Sequence, residues 1–222
     1  MSNQTAEEFN QLGLEELTKG ELNQAIVHFQ KAIELAPNLP DPYANIGNIL
    51  ASTGKNEEAL PWFQKAIELE PLGELFQYGL GNVFFNLGDF EKAIEYYQKA
   101  QGLGMDHHDL HFMLGMAAFH TEQLEEAVER FDQCLVLDPE DIDALFTKGL
   151  AFARMGNIEE AKTIFEQVIT IQPEHADAFF NLGVAMAYLN DLEGSKAYLQ
   201  KAIDLNPEHL LAKNALQQLQ NL

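Results

Sequence analysis

The sequence has few basic residues, one cysteine and no long apolar run. Only 13 of its 222 residues are Lys or Arg, against 35 Asp or Glu, which gives a formal net charge of −22. Nucleic-acid binding needs Lys and Arg to displace counterions from phosphates, and anionic lipid attracts the same groups. We therefore expect neither as a partner. Disorder is also not expected, because 46% apolar and 10% aromatic residues suffice for a core.

The single cysteine, Cys134, excludes an internal disulfide and any metal site built from several cysteines. The first eight residues, 1–8, contain no basic or apolar stretch, so we expect no signal peptide. No run approaches the ~18 apolar residues that span a membrane. These absences predict a soluble, cytoplasmic protein.

The chain repeats itself every 34 residues without an insertion. A glycine recurs at this interval, accompanied by a small residue and an aromatic or leucine. With Ala6 as repeat position 1, the predicted repeats are 6–39, 40–73, 74–107, 108–141, 142–175 and 176–209, followed by a tail, 210–222. The three series are Gly13, Gly47, Gly81, Gly115, Gly149 and Gly183; Ala25, Ala59, Ala93, Ala127, Ala161 and Ser195; and Phe29, Phe63, Tyr97, Phe131, Phe165 and Leu199.

Each repeat is predicted to form two helices joined by a tight turn. In repeat three, Gly88 suits the left-handed residue that ends the first helix, and Asp89 suits the cap of the second. The pairs Gly156-Asn157 and Asn190-Asp191 are expected to act in the same way. Glu122 stands at the glycine position of repeat four, and a left-handed Glu is strained, so we expect that turn to differ.

The repeat series imply close packing between the two helices. Glycine inside a helix costs about 1 kcal/mol relative to alanine, so its recurrence indicates a close approach, with the small Ala or Ser opposite and the aromatic beside them. One such helix pair cannot bury its own apolar face. The sequence therefore predicts an all-α solenoid of stacked helix pairs.

These residues resemble the tetratricopeptide repeat (TPR) over residues 6–209. The resemblance lies in Asn181-Leu182-Gly183 and in the segment 88–100, which opens Gly-Asp-Phe and ends Gln-Lys-Ala. Residues 104–105, 109–115 and 175–179 also resemble small soluble YrrB-type TPR proteins of Gram-positive bacteria. The resemblance implies a right-handed superhelix, a C-terminal capping helix at 210–222, and a non-enzymatic scaffold that binds a peptide or helix in its concave groove.

The resemblance also indicates which side chains face that groove. Carried over by register, first-helix positions present aromatic and Met side chains in repeats three to six and more polar ones in repeats one and two. We call these the candidate groove residues: Asn45, Asn48, Tyr78, Asn82, Phe85, Asn86, Phe112, Met116, Phe119, His120, Phe146, Leu150, Arg154, Phe180, Asn181, Val184 and Tyr188.

Two interpretations of the aromatic strip stay open: it contacts a ligand, or it packs against neighbouring repeats. The asparagines likewise either bind the backbone of an extended peptide or are simply solvated. The acidic chain favours a partly apolar and basic protein partner. Acidic chaperone tails are not expected, since of the clamp positions Asn10, Leu14, Asn45, Leu75 and Gly79 only Asn45 fits the family's clamp.

No catalytic, cofactor or metal site is expected. His107 and His111 are four residues apart, as in some zinc sites, but no third ligand motif completes them. Cys134 occupies a repeat position where Ala32, Ala66 and Ala100 stand elsewhere, which predicts a buried, inert thiol. The main hypothesis is an adaptor that binds a protein segment. The alternative is a module that forms homo-oligomers through the apolar strip or the C-terminal helix.

Overall fold

The computed structural model describes residues 4–220, and this part of the chain contains helices and no strand. The last two residues of the predicted tail, 221–222, lie outside the described residues. The all-α class is confirmed. The helices are α1 (Ala6–Thr18), α2 (Leu22–Leu35), α3 (Asp41–Ser52), α4 (Asn56–Leu69), α5 (Glu74–Asn86), α6 (Phe90–Gly102), α7 (His108–His120), α8 (Leu124–Leu137), α9 (Ile142–Arg154), α10 (Ile158–Ile171), α11 (Ala176–Tyr188), α12 (Leu192–Leu205) and α13 (Leu210–Gln220).

The helices group into two compact units, Met1–Asp106 and His107–Leu222, which we call unit 1 and unit 2. In unit 1, α1 packs on α2, α3 on α4 and α5 on α6, while α2 contacts α3 and α4 contacts α5. Unit 2 repeats this arrangement with α7 to α12, and α13 packs on α12 and α11. Each unit is thus a stack of helix pairs, whereas the repeat boundaries themselves stay a prediction.

The core of each helix pair is an aromatic or leucine side chain pressed against a glycine of the first helix. In unit 1, Phe29, Phe63 and Tyr97 are at most 1% exposed, and in unit 2 the same holds for Phe131, Phe165 and Leu199. A Cβ added at Gly149, for example, would lie 2.6 Å from Cε1 of Phe165. The close approach predicted from the glycine series is therefore present, and the nearest neighbour is the large side chain rather than the small one.

The turns within the helix pairs agree with the predicted left-handed position. Gly88 has a φ of 79° and Asp89 caps α6 by accepting a hydrogen bond from the Lys92 amide at 3.2 Å. Asp191 caps α12 in the same way, but Asn157 makes no side-chain cap bond to α10. The expectation that the turn at Glu122 differs is wrong, because Glu122 takes the left-handed conformation with a φ of 59°.

Glu122 accepts this conformation although a Cβ in the left-handed region costs roughly 1–2 kcal/mol. Replacing Glu122 with glycine is expected to raise the free energy of unfolding by about 0.5–1 kcal/mol. Removal of the strain stabilises the folded state by more than the added freedom of glycine stabilises the unfolded chain. Urea unfolding followed by circular dichroism measures the change. The matched control is Gly156→Ala, where φ is 81° and a loss of about 1 kcal/mol is expected. A loss of stability in Glu122→Gly would contradict the argument.

No helix within residues 4–220 has both the length and the apolar character needed to cross a bilayer.

Candidate functional site

Unit 2 contains a pocket between α9, α10 and α11, which we call the α9–α11 pocket. Its volume is about 580 Å³, within the range of sites that hold small ligands or side chains. Its floor comes from core and second-helix residues, among them Ile158, Ala161 and Phe165. Five candidate groove residues line it: Leu150, Arg154, Asn181, Val184 and Tyr188. Sequence reasoning missed Ile158, because it considered first-helix positions alone.

Tyr188 is the most exposed aromatic of this pocket, with 71% of its surface accessible. It also borders a second cavity of about 350 Å³, which lies against α12 and α13 and shares Val184 with the first. Val184 is half-buried and so contributes an apolar patch beside the exposed ring. A large apolar ring that its own protein leaves uncovered is available for contact with a partner.

Arg154 stands at the rim of the pocket and is held there by two contacts. Its Nη1 donates a hydrogen bond to Oε1 of Glu122 at 3.0 Å, and its guanidinium carbon lies 4.1 Å from the centroid of the Phe119 ring. Phe119 itself is only 6% exposed and belongs to the core of unit 2. The structure therefore places Phe119 beneath Arg154, where it supports the cation and presents little surface of its own.

The aromatic strip of unit 2 is partly used for internal packing. Phe146 lies 5.7 Å from Phe165 and 4.7 Å from His175, measured between ring centroids. The ring centroids of Phe180 and His209 lie 4.9 Å apart. Phe112, Phe146 and Phe180 are all half-buried, as are Met116 and Leu150. Each ring thus packs partly within its own unit and stays partly accessible, and contact of the strip with a ligand stays a prediction.

Histidines cap several first helices, a feature that sequence reasoning missed. The Nδ1 atoms of His107, His175 and His209 accept hydrogen bonds from backbone amides three residues on, at 3.4, 3.1 and 3.2 Å. Asp141 occupies the same place before α9 and accepts from the Ala144 amide. The 34-residue spacing of these four residues was the available signal, but histidine is not among the usual cap residues.

In unit 1 the predicted asparagines bond mainly within the protein. Asn45 Nδ2 donates to Asn10 Oδ1 at 3.0 Å, Asn86 Nδ2 donates to Asn56 Oδ1 at 3.3 Å, and the Tyr97 hydroxyl donates to Asn82 Oδ1 at 2.8 Å. These bonds reduce what the amides offer to a peptide.

The other candidate groove residues divide between packing and exposure. Tyr78 and Phe85 in unit 1 are half-buried, while Asn48 is exposed. In unit 2, Asn181 is also half-buried and His120 is exposed. Asn181 Nδ2 donates to the Asp177 carbonyl in its own helix. Solvent-facing candidates are therefore present in both units, and the one exposed aromatic candidate, Tyr188, lies in unit 2.

Cys134 is buried, as its repeat position predicted. Burial, with a further contribution from the Asp141 carboxylate, raises the pKa of its thiol to about 12. A thiol that stays protonated at neutral pH is a poor nucleophile.

His108 Nε2 lies 2.7 Å from Asp141 Oδ2. Burial lowers the pKa of His108, but its hydrogen bonds with Asp109 and Asp141 outweigh this and the net direction is upward.

Stacked helix pairs with an open apolar pocket define a helical-repeat protein of the kind that serves as a scaffold for protein–protein interaction. Family models for the tetratricopeptide repeat match residues 13–52, 45–108, 78–142 and 146–209. The chain belongs to the tetratricopeptide repeat family, whose members are generally non-enzymatic scaffolds.

Solved structures with the same fold include YrrB, reported as a TPR protein with an unusual peptide-binding site. YrrB is 36% identical, has a TM-score of 0.78, and the match covers 85% of this chain and 97% of YrrB. The sequence resemblance to YrrB-type proteins is confirmed. MamA, at 23% identity, has a TM-score of 0.70 and coverage of 73% and 95%. PilW, a type IV pilus biogenesis factor at 16% identity, has a TM-score of 0.78 and coverage of 97% and 100%. No curated protein matches the chain.

Proposed function

We propose that the protein is an adaptor that binds a segment of a partner protein in the α9–α11 pocket of unit 2. The observation that carries the proposal is an open, mainly apolar pocket bordered by an aromatic ring that is 71% exposed. A structural relative at 36% identity, YrrB, is itself reported to have a peptide-binding site. Tyr188 of this pocket is the one candidate groove residue whose aromatic ring is exposed.

The chemistry of the pocket indicates the chemistry of the segment. Leu150 and Val184 favour an apolar side chain as the inserted group, because burial of apolar surface supplies the main driving force. Asn181 and Arg154 lie at the edge, where they offer hydrogen bonds to the backbone of the segment. The net charge of −22 favours basic residues on either side of the inserted group and speeds their encounter with the protein.

A substitution at Tyr188 tests the proposal most directly. Tyr188→Asp is expected to weaken binding of a selected peptide by at least about tenfold, since it removes an aromatic contact and places a charge in the pocket. Peptides are selected on the wild-type chain from a random library, and dissociation constants follow from fluorescence anisotropy. Phe112 and Phe146 are less suitable positions, because their substitution also disturbs the packing of unit 2.

The matched control is Val136→Asp, which introduces the same charge at an α8 residue that is 80% exposed and outside the pocket. This variant is expected to bind like the wild type. Circular dichroism checks that both variants keep their helix content. Equal affinities for the wild type and Tyr188→Asp would place the binding site elsewhere.

A second candidate function, self-association through α13, rests on the exposure of Leu210 and Leu211. These adjacent leucines are 67% and 62% exposed at the start of the last helix. Sedimentation velocity of the wild type and of a Leu210→Asp, Leu211→Asp variant distinguishes the two functions. Oligomers that the double substitution disperses would support self-association, and a monomer at high concentration would exclude it.

A further inference from the structure

Three residues with metal-ligating side chains meet in unit 2, away from the α9–α11 pocket. They are His108 at the first position of α7, Cys134 in the last turns of α8, and Asp141 directly before α9. Their potential ligand atoms all lie within 4.8 Å of one another. His108 Nε2 is 2.7 Å from Asp141 Oδ2, and the Cys134 Sγ donates to the same oxygen at 3.5 Å. Tertiary packing of three helices, rather than a local sequence motif, creates this cluster.

We propose that His108, Cys134 and Asp141 bind a zinc ion, with water or a further ligand in the fourth position. Imidazole nitrogen, thiolate sulfur and carboxylate oxygen are the donors that Zn²⁺ uses in proteins. Bond lengths of about 2.0–2.3 Å in a tetrahedral site put ligand atoms roughly 3.3–3.8 Å apart. The distances of 2.7 Å and 3.5 Å from Asp141 Oδ2 to the other two ligand atoms are close to this range. The ion would replace the His108–Asp141 hydrogen bond, and these two atoms would move slightly apart.

The surroundings hold the two polar ligands in place. Asp141 Oδ1 accepts the capping hydrogen bond of the Ala144 amide at 3.0 Å, so Oδ2 is left pointing at the cluster. His108 Nδ1 lies 3.2 Å from Oδ1 of Asp109, an arrangement that fixes the ring with Nε2 towards the cluster. A carboxylate on the far nitrogen is the usual outer partner of a metal-bound histidine. The Ala144 amide therefore orients Asp141 as a ligand, and the Asp109 carboxylate orients His108.

Access and charge also suit a cation. Cys134 is fully buried, the side chain of Asp141 is 12% exposed, and that of His108 is 32% exposed. The cluster is thus shielded from water but opens to solvent on the histidine side. Thiolate and carboxylate together would neutralise the two charges of Zn²⁺. The Cys134 thiol must lose its proton to become a ligand, so binding releases a proton to the solution.

The repeat register shows that this cluster is particular to one helix pair. The three residues occupy repeat positions 1, 27 and 34 of residues 108–141. The same positions hold Ala6, Ala32 and Leu39 in one repeat and Ile142, Val168 and His175 in another. Packing of the fold therefore does not require a histidine, cysteine and aspartate here. The sequence expectation of no metal site considered His107 and His111, of which the first caps α7 and the second is buried.

The test is a titration of the metal-free, reduced full chain, without a histidine tag, with Co²⁺ and then Zn²⁺. The wild type is expected to bind one Co²⁺ per chain, with a thiolate-to-cobalt charge-transfer band that Zn²⁺ abolishes. Cys134→Ala is expected to lose the band and to weaken binding at least about tenfold. Alanine stands at this position in four other repeats, so this variant keeps the packing.

Two further variants separate ligation from folding. Asp141→Asn keeps an oxygen that caps α9 but loses the carboxylate ligand, and is expected to weaken Co²⁺ binding at least about tenfold. His28→Gln, at a half-buried histidine of unit 1 outside the cluster, is expected to bind like the wild type. Absence of stoichiometric binding at micromolar Co²⁺ and Zn²⁺, or binding that Cys134→Ala leaves unchanged, would overturn the proposal.

Discussion

Replacing Phe63 with alanine is expected to lower the free energy of unfolding of unit 1 by about 3–5 kcal/mol. Phe63 is 1% exposed and packs among Ala44 of α3 and Phe76 and Leu80 of α5. Its removal leaves a cavity at the contact between the α3–α4 pair and α5. In a stacked array the stability of a repeat depends on this contact with its neighbour, so the loss includes coupling between pairs.

Urea unfolding, followed both by circular dichroism and by hydrogen exchange within unit 1, measures this loss. The matched control is Phe9→Ala in the same unit, because Phe9 is half-buried and its ring contacts that of His28 at 6.1 Å. Phe9→Ala is expected to lower the free energy of unfolding clearly less than Phe63→Ala does. A loss below about 1 kcal/mol for Phe63→Ala would mean that the unit tolerates the cavity or that the ring is not central to it.

Replacing Gly79 with alanine is expected to destabilise unit 1 by about 2 kcal/mol, although alanine normally favours a helix over glycine by about 1 kcal/mol. A Cβ at Gly79 would lie 2.3 Å from Cε1 of Phe63, and one at Gly47 would lie 2.8 Å from the other edge of the same ring. The ring is held between two glycines of successive first helices. It has no room to move away from an added methyl group.

A double-mutant cycle with Phe63→Ala tests this cause. In the Phe63→Ala background the added methyl meets a cavity, so Gly79→Ala is expected to become neutral or stabilising there. Gly102→Ala is the matched control, since no heavy atom lies within 4 Å of its added Cβ. This control is expected to raise the free energy of unfolding by up to about 1 kcal/mol. Equal effects of Gly79→Ala in both backgrounds would contradict the contact as the cause.

The helix pairs and their cores could be predicted because they depend on periodic signals. The glycine and aromatic series, such as Gly149 with Phe165, recur at one register, and repetition makes each weak local signal strong. The turn at Glu122 was predicted wrongly for a physical reason. The backbone geometry of the turn is set by the two packed helices, and this packing compensates for the strain of one left-handed Glu.

The candidate site could be predicted only in part. Register selected Arg154 and Tyr188 as candidate groove residues, and both line the α9–α11 pocket; their contact with a ligand stays a prediction. It did not reveal that the amide of Asn45 is bonded within unit 1, or that Phe119 is buried beneath Arg154. Such contacts depend on side-chain conformations that the repeat does not specify.

By itself the sequence determined the fold class and the acidic character of the chain, because composition and a 34-residue period suffice for these, and its motifs determined the family through their resemblance to the tetratricopeptide repeat. Only the tertiary structure decided which side chains stay uncovered and which chemical groups meet. Gly79 lies outside the glycine series, yet it contacts Phe63 of the preceding helix pair. Likewise, His108, Cys134 and Asp141 are separated along the chain and come together only when α7, α8 and the start of α9 pack. Contacts between elements that are distant in sequence follow from three-dimensional packing, and the repeat period of the sequence does not specify them.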